Sequence, residues 1–421
     1  MKRLSDHILI QDLNGSTIQV LPWRIDSVVS VQGSFAAPVD HSSGEGLLLD
    51  LLAAMLDKGT KRRNKSALYD QLERTGASIA FSSSGDRLDF QVRCLARDLQ
   101  ATLALVTEQV AEPALLDEEL ALVKGRTAAH LARQASDPVY MCGNSISRTL
   151  YSQNHPSYQP ALSDVMDRIE STTTQDLRNL HDRSTMFSGL RVAIVGDVPN
   201  LDPADVASAL IVRPNATEGG FSISESSPPD PSDSQSHHIE IPDRPNLNVM
   251  LGHPVDLTTS NKDYLALWTA VFILGGNFSS RLMSQVRDEK GLTYGIRSYL
   301  SGMSANREGA WVTSVTLSQD KLEEGIAVTR DVITNFVENG VSSEELAERK
   351  QTMIGSYEVE LATTSGVAGR LLLHMNRGWE AERVDSHPER VSAIQTDEVN
   401  GAINRMLDAR ALSLVTAGSL S

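Results

Sequence analysis

The segment LLLDLLAAMLDKGT, residues 47–60, has the apolar period of an α-helix. One face of this helix carries large apolar side chains at intervals of three and four: Leu48, Leu51, Leu52 and Met55. The opposite stripe carries only acidic or small side chains: Asp50, Ala53, Ala54 and Asp57. Gly59 ends the helix, because glycine readily takes the left-handed conformation found at helix ends. By itself the pattern predicts a core helix with a narrow edge facing solvent.

The chain also contains an internal repeat. The tripeptide PVD at residues 38–40 recurs at residues 254–256. Two further pairs of similar segments follow in the same order, and their glycines align: Gly76 with Gly291, and Gly196 with Gly418. Three ordered matches at a nearly constant offset indicate two halves of related structure.

Each half has the same predicted order of elements. A strand, two helices, alternating strands, amphipathic helices and a closing strand before glycine follow one another. This order predicts an α+β fold of two related domains, each a mainly antiparallel sheet covered on one face by helices. The predicted domains are 1–220 and 239–421. Residues 221–238, rich in Ser, Pro and Asp, are the predicted linker, with His237 and His238 solvated at its edge.

Composition and charge limit the partners of the chain. The 421 residues are 40% hydrophobic and 22% charged, which is typical of soluble globular proteins. The net charge of −16 argues against nucleic acid and anionic membranes as partners. Two cysteines, Cys94 and Cys142, form no metal-binding spacing and fit a reducing compartment.

The location is predicted from the absence of targeting and membrane patterns. The N-terminus MKRLSDHILIQDLNG lacks the continuous apolar stretch of a signal peptide, and no run approaches the length of a membrane span. We therefore expect a cytoplasmic protein. A periplasmic protein whose signal peptide had been removed would show the same features.

The second half contains a corner that can carry chemistry, LGGNFSSRLMSQVRDEKGLTYGIRSYL, residues 274–300. Asn277 or Ser279 can cap a helix that Gly291 ends, and a strand is predicted from Leu292. Arg287 and Tyr294 flank this corner. Arginine offers a fork of donors to a carbonyl group, and the tyrosine hydroxyl can donate to an oxyanion. The alternative is that Arg287 pairs with a neighbour such as Asp288 and Tyr294 packs on the sheet.

This corner resembles a signature of the pitrilysin/insulinase-like metallopeptidases, the inverzincins, which read GG-x-x-SSRL-x-x-x-VR-x-x-x-GL-x-Y. The two halves and the linker agree with the resemblance, which spans nearly the whole chain. It implies that Arg287 holds the substrate backbone and that Tyr294 stabilises the tetrahedral intermediate. It also implies that two such units close on each other. The site then forms between the first domain of one unit and the second domain of the other.

The resemblance gives the narrow stripe of the first helix a different meaning. Active members carry the inverted zinc motif H-x-x-E-H there. This chain has Asp50, Ala53 and Ala54 instead, and the following Met55, Leu56 and KGT match. The further glutamate ligand falls near His130 or Leu131 and is also missing. We therefore expect this chain to bind no catalytic zinc and no other cofactor, and to be inactive alone.

Three hypotheses follow. In the first, the chain is the non-catalytic, substrate-binding subunit of a heterodimeric zinc metallopeptidase. A homologous partner with H-x-x-E-H then holds Zn²⁺, this chain supplies Arg287 and Tyr294, and the substrates are peptides. In the second, it is an inactive homologue that serves as a structural or peptide-binding scaffold, for example as a homodimer. The third, an enzyme with other chemistry, has little support, because no dinucleotide loop, phosphate loop or Gly-x-Ser-x-Gly elbow is present.

Overall fold

The computed structural model describes residues 3–23, 27–37, 39–183, 189–211 and 234–420. The helices of these residues are α1 Glu45–Met55, α2 Lys65–Thr75, α3 Leu99–Ala111, α4 Asp117–Gln134, α5 Pro138–Leu150, α6 Leu162–Ser171, α7 Thr174–Arg183, α8 Pro203–Leu210, α9 Tyr264–Gly275, α10 Leu322–Asn339, α11 Ser343–Glu360, α12 Thr364–Asn376, α13 Arg383–Ala393 and α14 Thr396–Met406, with a π-helix at Met283–Glu289. The strands are β1 Leu9–Leu13, β2 Ser16–Pro22, β3 Val28–Ala36, β4 Ser78–Ser84, β5 Arg87–Leu95, β6 Arg191–Gly196, β7 Ser236–Glu240, β8 Asn246–Val255, β9 Ile296–Ser301, β10 Gly309–Ser318 and β11 Ser413–Gly418.

The strands form two mixed sheets of matching topology. One sheet has the order β1-β2-β6-β3-β5-β4, and the other has the order β7-β11-β8-β10-β9. In each sheet one pair is parallel, β2 with β6 and β7 with β11, and the remaining pairs are antiparallel. The prediction of an α+β fold with two related, mainly antiparallel domains is confirmed. Strand β1 is an addition without a counterpart among the described strands of the second sheet.

The repeated glycines have the same backbone conformation in both halves. Gly76 and Gly291 have φ values of +66° and +61° at helix ends, and Gly196 and Gly418 have values of +152° and +142° at strand ends. Residues other than glycine are strained at such φ values. The repeat therefore has glycine at equivalent turns in both halves.

Replacing Gly196 with alanine will strongly destabilise the protein. A Cβ atom there would lie 2.2 Å from the carbonyl oxygen of Val28 and 2.8 Å from the Cα of Val29, which are backbone atoms of a buried strand. We expect a loss of about 3 kcal/mol or more in the free energy of unfolding, measured by urea titration. Gly125→Ala, on the exposed side of α4 with nothing within 4 Å, is the control and should raise stability by up to about 1 kcal/mol. Equal effects of the two substitutions would contradict the prediction.

The chain forms two compact units, and each contains segments from both halves of the sequence. Unit 1 consists of Met1–Ala128, Met166–Ile223 and Ser356–Pro388, and unit 2 consists of Ala129–Val165, Ser224–Gly355 and Glu389–Ser421. The predicted domains 1–220 and 239–421 are continuous, so the units differ from them by an exchange of helices. Helix α12 packs on β6 and β3 in unit 1, and α5 packs on β8 and β11 in unit 2.

In unit 1, helices therefore cover both faces of the sheet. Helices α1, α3 and α8 pack on one face through a cluster that includes Val31, Phe90 and Ile194. Helix α12 packs on the other face against Ala193 and Val195. The prediction of helices on one face holds for α1, α3 and α8. Helix α12, which comes from the second half of the sequence, covers the other face as well.

Residues 221–233 of the predicted linker lie outside the described residues. Residues 236–238 belong to β7, which pairs with β11. His237 and His238 were predicted to be solvated, but both side chains contact other residues. Nε2 of His237 lies 2.5 Å from Oγ of Ser145, and Nδ1 of His238 lies 2.8 Å from Oγ1 of Thr416. Strand pairing accounts for both contacts, because it fixes the direction of each side chain.

Candidate functional site

Helix α1 places the three positions of the zinc motif on one edge. Leu49 and Leu52 are fully buried in the core of unit 1. Asp50 and Ala54 are exposed, and Ala53 is 4% exposed. Asp50 and Ala54 thus face solvent as predicted, whereas Ala53 belongs to the buried core, and two of the three motif positions carry only a methyl group.

Asp50 is engaged by the neighbouring edge strand. The hydroxyl of Ser83, on β4, donates a hydrogen bond to Oδ1 of Asp50. Desolvation by the surrounding protein raises the pKa of Asp50, and the Ser83 bond and the nearby His41 oppose this shift. The carboxylate is nevertheless accessible to water. Its observed role is to link α1 to β4.

Among the described residues, the positions of the zinc motif do not supply the ligands that zinc needs. His130 and Leu131 lie on α4, where Nε2 of the exposed His130 is 3.2 Å from Nε2 of Gln134. In the described ranges, no three His, Cys, Asp or Glu side chains are grouped closely enough to hold a metal ion. A catalytic zinc site requires three nitrogen, sulfur or oxygen ligands and an open position. The residues at these positions do not fit that requirement.

The second candidate region lies in unit 2, between α9 and β9. Two glycines allow a close approach there: a Cβ on Gly275 would lie 2.4 Å from the amide nitrogen of Ser298, and one on Gly276 would lie 2.7 Å from the Cα of Phe272. Oδ1 of Asn277 accepts a hydrogen bond from the amide of Ser279 at 2.8 Å, which stabilises the turn before the helix, whereas the helix itself has no side-chain cap. Gly275 therefore serves helix–strand packing, whereas Gly276 lets the chain turn closely against the end of α9.

Arg287 lies in a π-helix, where an α-helix was predicted. Such turns are rare and occur frequently at functional sites. The guanidinium lies 5.5 Å from the ring centroid of Phe278, which is 77% exposed, and 3.9 Å from the carboxylate of Asp288. The predicted pairing with Asp288 is therefore present, but the distance is long. The side chain of Arg287 is 35% exposed. Arginine stacking on an aromatic face leaves the edge of the fork available to a ligand.

Tyr294 projects into solvent from an anchored turn. Its side chain is 98% exposed, so the alternative in which it packs on the sheet is wrong. The preceding Thr293 is buried, and its hydroxyl donates to the carbonyl oxygen of Thr316 at 2.5 Å. The amide of Gly295 donates to the Thr293 hydroxyl at 3.1 Å. These bonds delay the strand predicted from Leu292, so that β9 begins at Ile296.

Arg287 and Tyr294 make no hydrogen bond or ring contact with each other among the described residues. Sequence reasoning missed Phe278, which contacts Arg287, and Ser83, which contacts Asp50. Phe278 occupies a variable position of the motif. The only sequence signal for its role was a large aromatic residue among small glycine and serine residues. Ser83 lies in a run of serines without any periodic signal for a contact with Asp50.

Comparisons with known proteins place the chain in a family. Residues 40–160 match the sequence model described as Insulinase (Peptidase family M16), and residues 171–353 match the one described as Peptidase M16 inactive domain. Together these matches cover more than half of the chain. The chain belongs to peptidase family M16. It is an inactive homologue, in the sense that it lacks the zinc motif of the M16 peptidases.

Relatives within the M16 family carry differing descriptions. A non-peptidase homolog from Helicobacter pylori, YmxG, is 24% identical over 323 residues, which are 76% of this chain and 72% of that protein. An uncharacterized zinc protease from Streptomyces coelicolor is 22% identical over 376 residues, which are 88% of this chain and 80% of that protein. The family thus includes proteins of both descriptions with similar sequence identity to this chain.

A solved M16 structure has the same fold. The peptidase M16 inactive domain from Pseudomonas fluorescens superimposes with a TM-score of 0.86 and 23% sequence identity, covering 98% of both chains. This similarity confirms the two-domain M16 fold. In the part of the chain that the structure describes, no helix is both long and apolar enough to span a bilayer.

Proposed function

We propose that this M16 homologue is the non-catalytic, substrate-binding subunit of a two-subunit zinc metallopeptidase that hydrolyses peptides. It supplies Arg287 and Tyr294, and a homologous partner with the H-x-x-E-H motif supplies the metal. The observation that carries the proposal is the contrast between the two candidate regions. The zinc-motif stripe has lost its ligands, whereas the anchored turn still presents Tyr294 to solvent.

The exposure of Tyr294 supports a role outside this chain. An aromatic side chain that is 98% exposed leaves apolar surface in water, which is unfavourable. Its hydroxyl has no hydrogen-bond partner among the described residues. The bonds of Thr293 hold the turn in place, so that the hydroxyl is positioned before a substrate arrives. A preorganised donor of this kind suits an oxyanion that develops during peptide hydrolysis.

Arg287 supports the same role through a different interaction. The guanidinium is held against Phe278, and it can donate to a peptide carbonyl group or to a carboxylate. In the proposed complex it binds substrate equally in the ground state and in the transition state, whereas Tyr294 acts chiefly in the transition state. The metal in the partner would supply the activated water.

Tyr294→Phe will lower kcat of the assembled complex about 10- to 100-fold and change KM less than about twofold. The expected cause is loss of a hydroxyl that donates to the developing oxyanion. The assay is peptide hydrolysis by the partner saturated with this chain. Tyr158→Phe is the matched control, because Tyr158 packs against the core of unit 2 and should leave kcat unchanged. An unaltered kcat in Tyr294→Phe would show that Tyr294 does not act in hydrolysis.

The second candidate function is that of a peptide-binding or structural scaffold. The description of the Helicobacter pylori relative as a non-peptidase homolog favours it. In that case the chain would assemble with itself or with a protein lacking H-x-x-E-H, and no peptidase activity would accompany the assembly.

A further inference from the structure

Unit 1 contains a cavity that neither candidate region uses. It has a volume of about 420 Å³, is open to solvent, and lies between the beginning of α1 and helices α6 and α7. This volume is within the range of small-molecule clefts. Its wall contains two arginines and three carboxylates, and Leu48, 4% exposed, provides apolar surface.

One of the two arginines is already paired. The guanidinium of Arg183 donates to Oε1 of Glu45 at 2.6 Å, and Oε2 of Glu45 accepts the amide of Asp40 at 3.0 Å. This ion pair satisfies Glu45 and anchors α7 to the beginning of α1. It leaves Arg168 as the cation in the wall that is open to a ligand.

Arg168 has donors without acceptors. Its Nε is buried and has no hydrogen-bond partner, and its guanidinium lies in no ion pair among the described residues. Gly44, with φ of +79°, brings the backbone close to it: an added Cβ would lie 4.0 Å from Nε. Buried donors are rarely left without partners, and an arginine fork matches the two oxygens of a carboxylate.

Asp176 and Asp182 give the same cavity a negative side. Oδ2 of Asp176 accepts the hydroxyl and amide of Thr173 at 2.7 and 2.8 Å, and these bonds, with a smaller contribution from the positive charge of Arg168, lower the pKa of Asp176. The side chain of Asp182 is 75% exposed. With Glu45, these carboxylates repel a multiply charged anion such as phosphate, but they attract an ammonium group.

We propose that this cavity is a binding site for a zwitterionic ligand, a free amino acid or a dipeptide. Arg168 binds the carboxylate of the ligand, Asp176 and Asp182 bind its ammonium group, and Leu48 contacts its apolar part. The site is independent of the proposed role of Arg287 and Tyr294, because it requires neither residue and no partner subunit.

The test is calorimetric titration of the full chain with the dipeptide Gly-Leu, together with its N-acetylated and C-amidated forms. We expect millimolar binding of Gly-Leu, and binding at least about tenfold weaker for each blocked form, since each has lost one charge-assisted contact. Arg168→Gln should weaken Gly-Leu binding to the same extent. Arg74→Gln, an exposed arginine on α2, should leave it unchanged.

Asp182→Asn is the second variant, because the side chain of Asp182 is exposed and the substitution should leave the fold intact. It should reduce the preference for Gly-Leu over the acetylated form. Arg287→Gln should bind Gly-Leu as well as the wild type, which separates this cavity from the proposed peptidase site. The proposal is overturned if Gly-Leu produces no heat at 20 mM, if the blocked forms bind equally well, or if Arg168→Gln binds normally.

Discussion

After cleavage of the chain within residues 222–233, the two fragments will stay folded and associated with each other. Neither half will fold when it is expressed alone. The reason is the exchange of helices between the two halves. Helix α12 belongs to the second half, but its fully buried Val367, Ala368 and Leu371 pack on the sheet of unit 1. Helix α5 belongs to the first half and buries Cys142 and Ile146 in the core of unit 2.

The expected effect is large. Each fully buried aliphatic side chain contributes about 1.5 to 3 kcal/mol, so the loss of one exchanged helix removes on the order of 10 kcal/mol. That is comparable with the whole stability of a typical domain. An isolated half would also expose one face of a sheet to water.

The measurement uses the full chain with a specific protease site inserted in this segment. After complete cleavage, two fragments should appear on a denaturing gel, and one species of unchanged mass should elute on a native sizing column. Fragments 1–221 and 234–421, expressed separately, should be insoluble or lack cooperative melting. Separation of the cleaved fragments under native conditions, or cooperative melting of either half, would contradict the prediction.

The protein will lose stability on acidification below pH 6.5, in large part through His374. This side chain, on α12, is 1% exposed, and its Nδ1 has no hydrogen-bond partner within the described part of the chain. Burial, together with the charges of Arg370 and other nearby cationic groups, lowers its pKa to about 3. An unfolded chain binds this proton near pH 6.5, whereas the native protein does not. Stability is therefore full above pH 6.5 and falls progressively between pH 6.5 and pH 3.

The corresponding measurement is urea unfolding at pH 7.5 and pH 5. A shift from 6.5 to about 3 predicts a loss of about 2 kcal/mol at pH 5 and on the order of 4 kcal/mol by pH 3. His374→Leu should remove this part of the pH dependence, because leucine has nothing to protonate. His130→Gln, at an exposed histidine, should retain the wild-type dependence. Equal pH dependence in His374→Leu and the wild type would contradict the assignment.

The order of elements and the repeat could be predicted from sequence, because both depend on local periodicity. The apolar spacing in α1 fixes which side of the helix is buried, and glycines at 76 and 291 adopt the predicted left-handed conformation. The helix exchange could not be predicted. Periodicity shows that α5 and α12 each have an apolar face, but it does not show which sheet that face covers.

At the candidate site, the local structure around the motif could not be predicted from sequence. The segment containing Arg287 is a π-helix, and residues 292–295 form a turn that the buried Thr293 anchors. The turn depends on a bond from Thr293 to the distant strand β10, which sequence spacing does not reveal. The same holds for Ser83 and Asp50, whose hydrogen bond joins two elements far apart in the chain.

The proposed role of this M16 homologue is tested most directly by capture of the tagged protein from its native cells. Mass spectrometry would identify the companion, and peptide hydrolysis by the captured material would then be assayed with wild-type and Tyr294→Phe chains. The account predicts a stoichiometric companion of similar size that carries H-x-x-E-H, with hydrolysis that depends on Tyr294. Recovery of the chain alone as a self-dimer without peptidase activity would contradict it and favour the scaffold function.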